Sequence, residues 1–141
     1  MAKRLHILLV EDDPIHAMVI RHALEGHQLL RELTHVEHGE AAVDLLRQTP
    51  PARWPDLVLL DIRLPGIDGF DVLRTVRQDE RSRPLPVVMV STSDDPGDVT
   101  RSYALGANAF ITKSPDYEDF SRRLTDVQDF WSQTAELPAR V

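Results

Sequence analysis

Three short apolar segments constrain the fold of this chain more than any other feature of its sequence. They are Leu5–Val10, Leu57–Leu60 and Val87–Val90. Apolar runs of this length are typical of strands that are buried on both faces of a sheet. Helices usually cover such strands, so we expect the rest of the chain to supply them on both faces.

Helical segments follow each of these strands, and strand and helix alternate five times along the chain. Two weaker strands, Leu33–Val36 and Asn108–Thr112, complete the set. Parallel strands need crossover connections, which are usually helices. The alternation therefore predicts an α/β fold: a five-stranded parallel sheet, doubly wound as (βα)5.

The sequence predicts where the first and last helices begin and which of their residues form an apolar stripe. Asp13 is the expected N-cap of the first helix, with Pro14 at its first position. Its expected buried stripe is Ile15, Met18, Val19 and Ala23. Ser114–Pro115 gives the same cap-plus-proline signal for the last helix, which we expect to run to about Thr134. The apolar stripe of that helix is Phe120, Leu124, Val127 and Trp131.

Composition narrows the class of protein. The 141 residues suit one domain, 42% of them are hydrophobic, and no apolar run approaches the roughly 20 residues that cross a membrane. A net charge of −7 opposes direct nucleic-acid binding, which needs a basic surface. The absence of cysteine excludes disulfides and thiolate metal sites, and the N-terminus lacks a signal peptide, so a cytoplasmic location is expected. His35 and His38 have no third ligand nearby, and no metal site is predicted there.

Polar side chains follow four of the five predicted strands. They are Glu11 and Asp12, Asp61, Ser91 and Lys113. The carboxyl ends of parallel strands meet at one edge of the sheet, where ligands bind in open α/β folds. Crowded carboxylates raise one another's pKa, and oxygen ligands without His or Cys favour a hard cation, most simply Mg²⁺. The set resembles a phosphoryl-transfer site with Asp61 as nucleophile, although Asp12 taken singly is equally a helix cap.

These residues, with Pro65 and Gly69 following Asp61, resemble the receiver domain of two-component response regulators over nearly the whole chain. The resemblance implies the flavodoxin-like receiver fold, with Asp61 as phosphoacceptor. It also implies that Asp12 binds Mg²⁺ directly, that Glu11 reaches the ion mainly through water, and that the ion binds Asp61 and the backbone carbonyl of Arg63. The residues that it assigns to the phosphoryl group and the switch are Ser91, Lys113 and Phe110.

The sequence departs from this family at one position. The family usually has proline directly after the lysine, joined by a cis peptide bond, whereas this chain has Lys113-Ser114-Pro115. A cis bond before a residue other than proline costs about 2.5–4 kcal/mol, so the cis bond is in question at both Lys113-Ser114 and Ser114-Pro115.

The C-terminal segment and the Lys113-Ser114 variant are similar to stand-alone response regulators of phytochrome-type histidine kinases. This resemblance implies a single receiver domain over residues 1–141, with an extended segment from about residue 128. Phe130 and Trp131 are either core residues or a surface for a homodimer or kinase docking, since aromatic residues are enriched in interfaces.

Three functions are compatible with these residues. The first is a phosphorylatable switch, not an enzyme, that takes its phosphoryl group from a sensor histidine kinase. With no output domain expected, it signals through protein–protein contacts or phosphorelay. The alternative is a small Mg²⁺-dependent phosphohydrolase, which commonly has a second acid two residues after the nucleophile, where this chain has Arg63. A third is a receiver-like scaffold that is never phosphorylated, against which the full set of charged site residues argues.

Overall fold

Five parallel strands form one sheet in the computed structural model, which describes residues 2–139. In chain order they are β1 (Leu5–Val10), β2 (Leu30–Val36), β3 (Leu57–Leu60), β4 (Val87–Ser91) and β5 (Ala109–Thr112). Their order across the sheet is β2-β1-β3-β4-β5. This is the flavodoxin-like order, in which the direction of winding reverses between β1 and β3. The predicted fold class is confirmed.

Five helices connect and follow the strands. They are α1 (Pro14–Glu25), α2 (Gly39–Gln48), α3 (Gly69–Gln78), α4 (Pro96–Ala104) and α5 (Tyr117–Asp129). A 3-10 turn at Pro51–Arg53 precedes β3, and a π-helical turn at Phe130–Thr134 extends α5. No helix within residues 2–139 combines the length and apolar character needed to cross a membrane.

Alternate side chains of the strands enter two separate hydrophobic clusters. One face of the sheet, with Leu8, Val58 and Met89 among its members, packs against apolar residues of α2 and α3. The other face, with Ile7, Leu59 and others, packs against α1 and α5. Burial on both faces explains why these strands lack polar alternation, and it leaves their carboxyl ends as the edge at which polar side chains gather.

The stripe predicted for α1 was wrong in two of its positions. Ile15 and Met18 are 65% and 63% exposed, and the buried residues of the helix are Ala17, Ile20, Ala23 and Leu24. Both sets satisfy helical spacing, because the helix carries apolar residues over more than one face. The direction from which the helix approaches the sheet decides which set is buried, and that direction is a tertiary property.

The ends of two elements differ from the prediction. Strand β2 begins at Leu30 rather than Leu33. Helix α5 is capped by Asp116, whose carboxylate accepts hydrogen bonds from the N–H groups of Glu118 and Asp119, rather than by Ser114. The Ser114 hydroxyl instead accepts a hydrogen bond from the N–H of Asp116. No peptide bond within the described residues is cis, so both bonds around Ser114 are trans.

The C-terminal segment folds back onto the N-terminal end of β1. The Lys3 N–H donates to the carbonyl of Ser132 over 3.0 Å, and the Ser132 hydroxyl donates to the carbonyl of Lys3. Trp131 and Leu137 pack against the hydrophobic cluster beneath α1 and α5. Phe130 contacts Trp131 edge to face, with ring centroids 5.2 Å apart, yet remains 48% exposed.

Candidate phosphoryl-transfer site

The central strands β1 and β3 bring the first two acidic positions together. Glu11 directly follows β1, and its N–H donates to the carbonyl of Val36 over 3.0 Å. Asp61 directly follows β3, and its N–H donates to the carbonyl of Val10 over 3.1 Å. Backbone hydrogen bonds between neighbouring strands therefore hold both acidic residues at the same edge of the sheet.

Gly69 allows the loop after Asp61 to close tightly. Its N–H donates to the carbonyl of Ile62 over 2.8 Å. A Cβ atom at this position would overlap the carbonyl oxygen of Asp61 and the Cα of Ile62. Because both atoms belong to the backbone, a side chain at this glycine would displace the end of β3 itself.

Three carboxylates gather at this edge. Oxygen atoms of Glu11, Asp12 and Asp61 all lie within 4.8 Å of one another, with Glu11 and Asp61 buried and Asp12 exposed. The cap of α1 is Asp13, whose Oδ1 accepts from the N–H groups of Ile15 and His16. Asp12 therefore belongs to the acidic cluster and does not cap the helix.

Lys113 provides the positive charge of the cluster. It follows β5, and its Nζ lies 2.5 Å from Glu11 Oε1 and 3.3 Å from Asp61 Oδ2. The side chains of Lys113, Glu11 and Asp61 are 5%, 1% and 9% exposed, so these three groups are largely shielded from water. In this arrangement the ammonium group offsets the repulsion between the two buried carboxylates.

The pKa of Glu11 is raised to about 7. Burial is the largest cause, the hydrogen bond from Lys113 opposes it, and the charge of Asp61 adds to the increase. The neighbouring charge of Asp61 does raise the pKa of Glu11, as the sequence predicted, but desolvation raises that pKa more. Because the ordinary value is 4.5, the contribution of Glu11 to the stability of the metal-free fold is complete below about pH 4.5 and is lost as the pH rises to about 7.

His16 is a site residue that the sequence did not reveal. Its Nδ1 lies 3.0 Å from Lys113 Nζ. The six histidines are scattered along the chain, and nothing in local spacing distinguishes this one. The available signal was its position in the first turn of a helix that begins immediately after the acidic pair.

The remaining predicted site residues lie around this centre. Ser91 ends β4, is fully buried, and its hydroxyl accepts a hydrogen bond from the N–H of Ser93 over 3.2 Å. Phe110 lies in β5, half-buried against the α2–α3 cluster. The Arg63 N–H donates to Asp61 Oδ1 over 3.4 Å, and its side chain is exposed. The roles assigned to these three residues stay predictions.

The chemistry of the cluster fits a divalent cation. Its ligand atoms are all carboxylate oxygens, the type that hard cations prefer. Two of the three carboxylates are buried, so a cation bound there would be partly shielded from solvent. A bound cation and Lys113 would compete for Glu11, because the lysine ammonium group already contacts that carboxylate.

Comparison with known proteins identifies the family. A profile described as the response regulator receiver domain matches residues 7–125. The chain belongs to the response regulator receiver family. Response regulator Rcp1 of Synechocystis sp. is 35% identical over 136 residues, which cover 94% of this chain and 92% of Rcp1. The profile match includes all the strand ends described above.

Solved structures agree with this receiver assignment. The phosphorylated cyanobacterial phytochrome response regulator RcpA superposes with a TM-score of 0.89 at 36% identity, covering 96% of this chain and 99% of RcpA. The Mn²⁺-bound form of Rcp1 superposes with a TM-score of 0.86 at 34% identity, covering 96% and 99%. Because these relatives are response regulators, this receiver domain is a signalling protein by family, and the phosphohydrolase alternative gains no support from them.

Proposed function

We propose that this receiver domain accepts a phosphoryl group on Asp61 from a sensor histidine kinase. The observation that carries the proposal is the position of the Asp61 carboxylate. It is buried at the end of β3, 3.3 Å from the Lys113 ammonium group and within a cluster of carboxylates suited to a cation. A nucleophile, a positive charge and a cation site are the parts that phosphoryl transfer to a carboxylate requires.

The residues of the chain divide the work of this reaction. An Asp61 carboxylate oxygen attacks phosphorus, a new oxygen–phosphorus bond forms, and the bond to the leaving group breaks with its electron pair. Lys113 stabilises the negative charge of the transferred group, and the Ser91 hydroxyl donates a hydrogen bond to it. The half-buried ring of Phe110 changes its packing in response. Because a phenylalanine has no hydroxyl, packing alone drives that change.

The proposed cation is Mg²⁺, held by Asp12, Asp61 and the backbone carbonyl of Arg63, with Glu11 acting mainly through water. A bound cation neutralises oxygen charge during phosphoryl transfer. The Mn²⁺-bound form of Rcp1 supports a divalent ion in a related receiver. The all-oxygen composition of the cluster supports a hard ion in this one.

Incubation with acetyl phosphate and Mg²⁺ tests the function directly. Intact mass spectrometry should detect the addition of one phosphoryl group per chain. Acetyl phosphate supplies the group without a kinase, so the result depends on the receiver site alone. Steady turnover of an unrelated phosphate ester, with no stable adduct, would instead favour the phosphohydrolase.

Mg²⁺ binding should release protons in a pH-dependent way. At about pH 6 the Glu11 carboxyl of the metal-free protein is mostly protonated, because its pKa is about 7. A nearby cation favours the ionised form, so titration with Mg²⁺ should release a proton at this pH and little at about pH 8.5. A pH-indicator dye or calorimetry in two buffers measures the release.

Asp12→Asn is the control for the metal assignment. It should weaken Mg²⁺ binding while leaving the thermal stability of the metal-free protein unchanged or slightly higher, because it removes one of three crowded charges. A collapse of stability without metal would mean that Asp12 has a structural role.

In the proton-release experiment on the wild type, a release that is equal at about pH 6 and about pH 8.5 would contradict the high pKa of Glu11.

The proposed donor is a phytochrome-type histidine kinase, by similarity to RcpA. The exposed side chains of Ile15 and Met18 lie on the first two turns of α1, the helix whose His16 contacts Lys113. An apolar surface beside the phosphoacceptor suits contact with a protein that carries the phosphoryl group. We propose further that residues 1–141 act as one receiver unit in the cytoplasm, with no direct contact to nucleic acid or membrane.

We also propose a homodimer that uses the C-terminal segment, extended from about residue 128. The two aromatic residues of this segment differ in exposure: Trp131 packs partly against the core, whereas Phe130 is 48% exposed. Phe130 is therefore the aromatic side chain of this segment with most surface left for a partner. The kinase is the other candidate for this surface.

Phe130→Ala should shift the protein from dimer to monomer. Because the ring is already about half buried, burying the rest is worth about 1 kcal/mol, and two-fold symmetry counts the contact twice, so Kd should rise about thirtyfold. Light scattering measures the change, and Tyr103→Ala, an exposed aromatic on α4, is the matched control. Phosphorylation by acetyl phosphate should persist. A wild-type protein that is monomeric at about 100 µM would refute the dimer.

A further inference from the structure

The Lys113 ammonium group has three hydrogen-bond acceptors in this structure. They are Glu11 Oε1 at 2.5 Å, His16 Nδ1 at 3.0 Å and Asp61 Oδ2 at 3.3 Å. An ammonium group has three hydrogens to donate, so these contacts use all of them. Two acceptors are carboxylates of the acidic cluster, and the third is an imidazole ring.

The contact with Lys113 defines the tautomer of His16. An ammonium group can only donate, so Nδ1 must accept and the ring proton lies on Nε2. The N–H of His16 is itself bound by the Asp13 carboxylate at 3.2 Å, which anchors the residue in the first turn of α1. Asp13 Oδ2 is 3.8 Å from Nδ1, too far for a hydrogen bond to compete with the lysine.

His16 differs from the two carboxylates in its role during the reaction. If Asp61 takes the phosphoryl group and Glu11 faces the cation, both lose their availability to the lysine. His16 belongs to neither task. Because an imidazole that accepts a hydrogen bond from an ammonium group adds no negative charge, it also leaves the positive charge of the lysine intact for the phosphoryl group.

We propose that His16 is a positioning residue that holds Lys113 Nζ at the site while Glu11 and Asp61 are engaged elsewhere. The inference rests on the proposed function, since it gives the lysine its role toward the phosphoryl group. It adds a residue of α1 to a site otherwise built from the ends of strands. Its side chain is 37% exposed, so His16 is less deeply buried than Lys113, whose side chain is 5% exposed.

Three substitutions separate positioning from a general structural role. His16→Phe keeps a ring but removes the acceptor, and should slow phosphorylation of Asp61 by acetyl phosphate about tenfold at saturating Mg²⁺. His16→Asn provides a carbonyl oxygen at the δ position and should restore most of the rate. His22→Phe, an exposed histidine of the same helix that lies near Tyr117, should leave the rate unchanged.

Nitrogen-15 NMR of the histidine rings supplies a readout that needs no phosphorylation. His16 should show an unprotonated Nδ1 and a protonated Nε2, and the Nδ1 resonance should shift in Lys113→Met. A His16 ring protonated at Nδ1 and not at Nε2, or a resonance indifferent to Lys113→Met, would overturn the proposal. Equal rates for wild type and His16→Phe, or equal losses in His16→Phe and His16→Asn, would do the same. If the wild type takes no phosphoryl group at all, the proposed function fails, and NMR still decides whether the contact exists.

Discussion

Asp61→Asn is expected to abolish phosphorylation by acetyl phosphate and Mg²⁺, with no mass increase at any donor concentration. The amide has the shape of the carboxylate but lacks an anionic oxygen to attack phosphorus. Asp61 is the predicted nucleophile because its buried carboxylate lies at the end of the central strand β3, 3.3 Å from Lys113 and within the cluster of cation ligands. No neighbouring carboxylate is expected to replace it.

Stability measurements ensure that this loss reflects chemistry rather than misfolding. The metal-free Asp61→Asn protein should be at least as stable as the wild type, because one of three crowded negative charges is removed. Asp94→Asn, an exposed acid on the loop after β4, is the matched control and should be phosphorylated normally. If the Asp61→Asn protein still gained a phosphoryl group, Asp61 would not be the acceptor.

Lys113→Met should destabilise the metal-free protein by about 3–5 kcal/mol at about pH 8, the cost of leaving buried charges without their partner. Both Glu11 and Asp61 would lose the ammonium group that now lies within hydrogen-bonding distance. The loss should shrink at about pH 5.5, because Glu11 has a raised pKa and can take up a proton. Mg²⁺ should also recover stability by replacing the missing positive charge.

Urea denaturation at both pH values, with and without Mg²⁺, measures these effects. Arg122→Met is the contrasting control, because Arg122 pairs with Asp119 and Asp126 on an exposed face of α5. Exposed ion pairs contribute about 0–1 kcal/mol, so this change should be small and nearly independent of pH. A loss in Lys113→Met that was equally small would show that the ammonium group is not the countercharge of the cluster.

The position of Glu11 could be predicted from the sequence, whereas the main cause of its raised pKa could not. Its position after a buried strand was predictable, because strand ends of a parallel sheet share one edge. That its pKa rises mainly through burial was not, since the sequence suggested repulsion between carboxylates as the cause. Depth below the surface depends on how α1 and the neighbouring loops cover the site.

The C-terminal segment gives the same lesson. Its aromatic residues were predicted either to pack in the core or to form a surface. The structure divides them, with Trp131 against the core and Phe130 about half exposed. The backbone contact between Ser132 and Lys3 holds this arrangement, and no local pattern connects two segments so distant in the chain.

The sequence by itself determined the number of strands, their parallel arrangement and the acidic and basic residues at their ends. These follow from short-range patterns: apolar runs, caps and prolines, together with the general rule for crossover connections. Only the tertiary structure decided which face of α1 is buried and which groups contact Lys113. The lysine lies 102 residues from Glu11 and 97 from His16 in the chain. Contacts over such separations depend on how helices pack on the sheet, and local sequence periodicity carries no information about that packing.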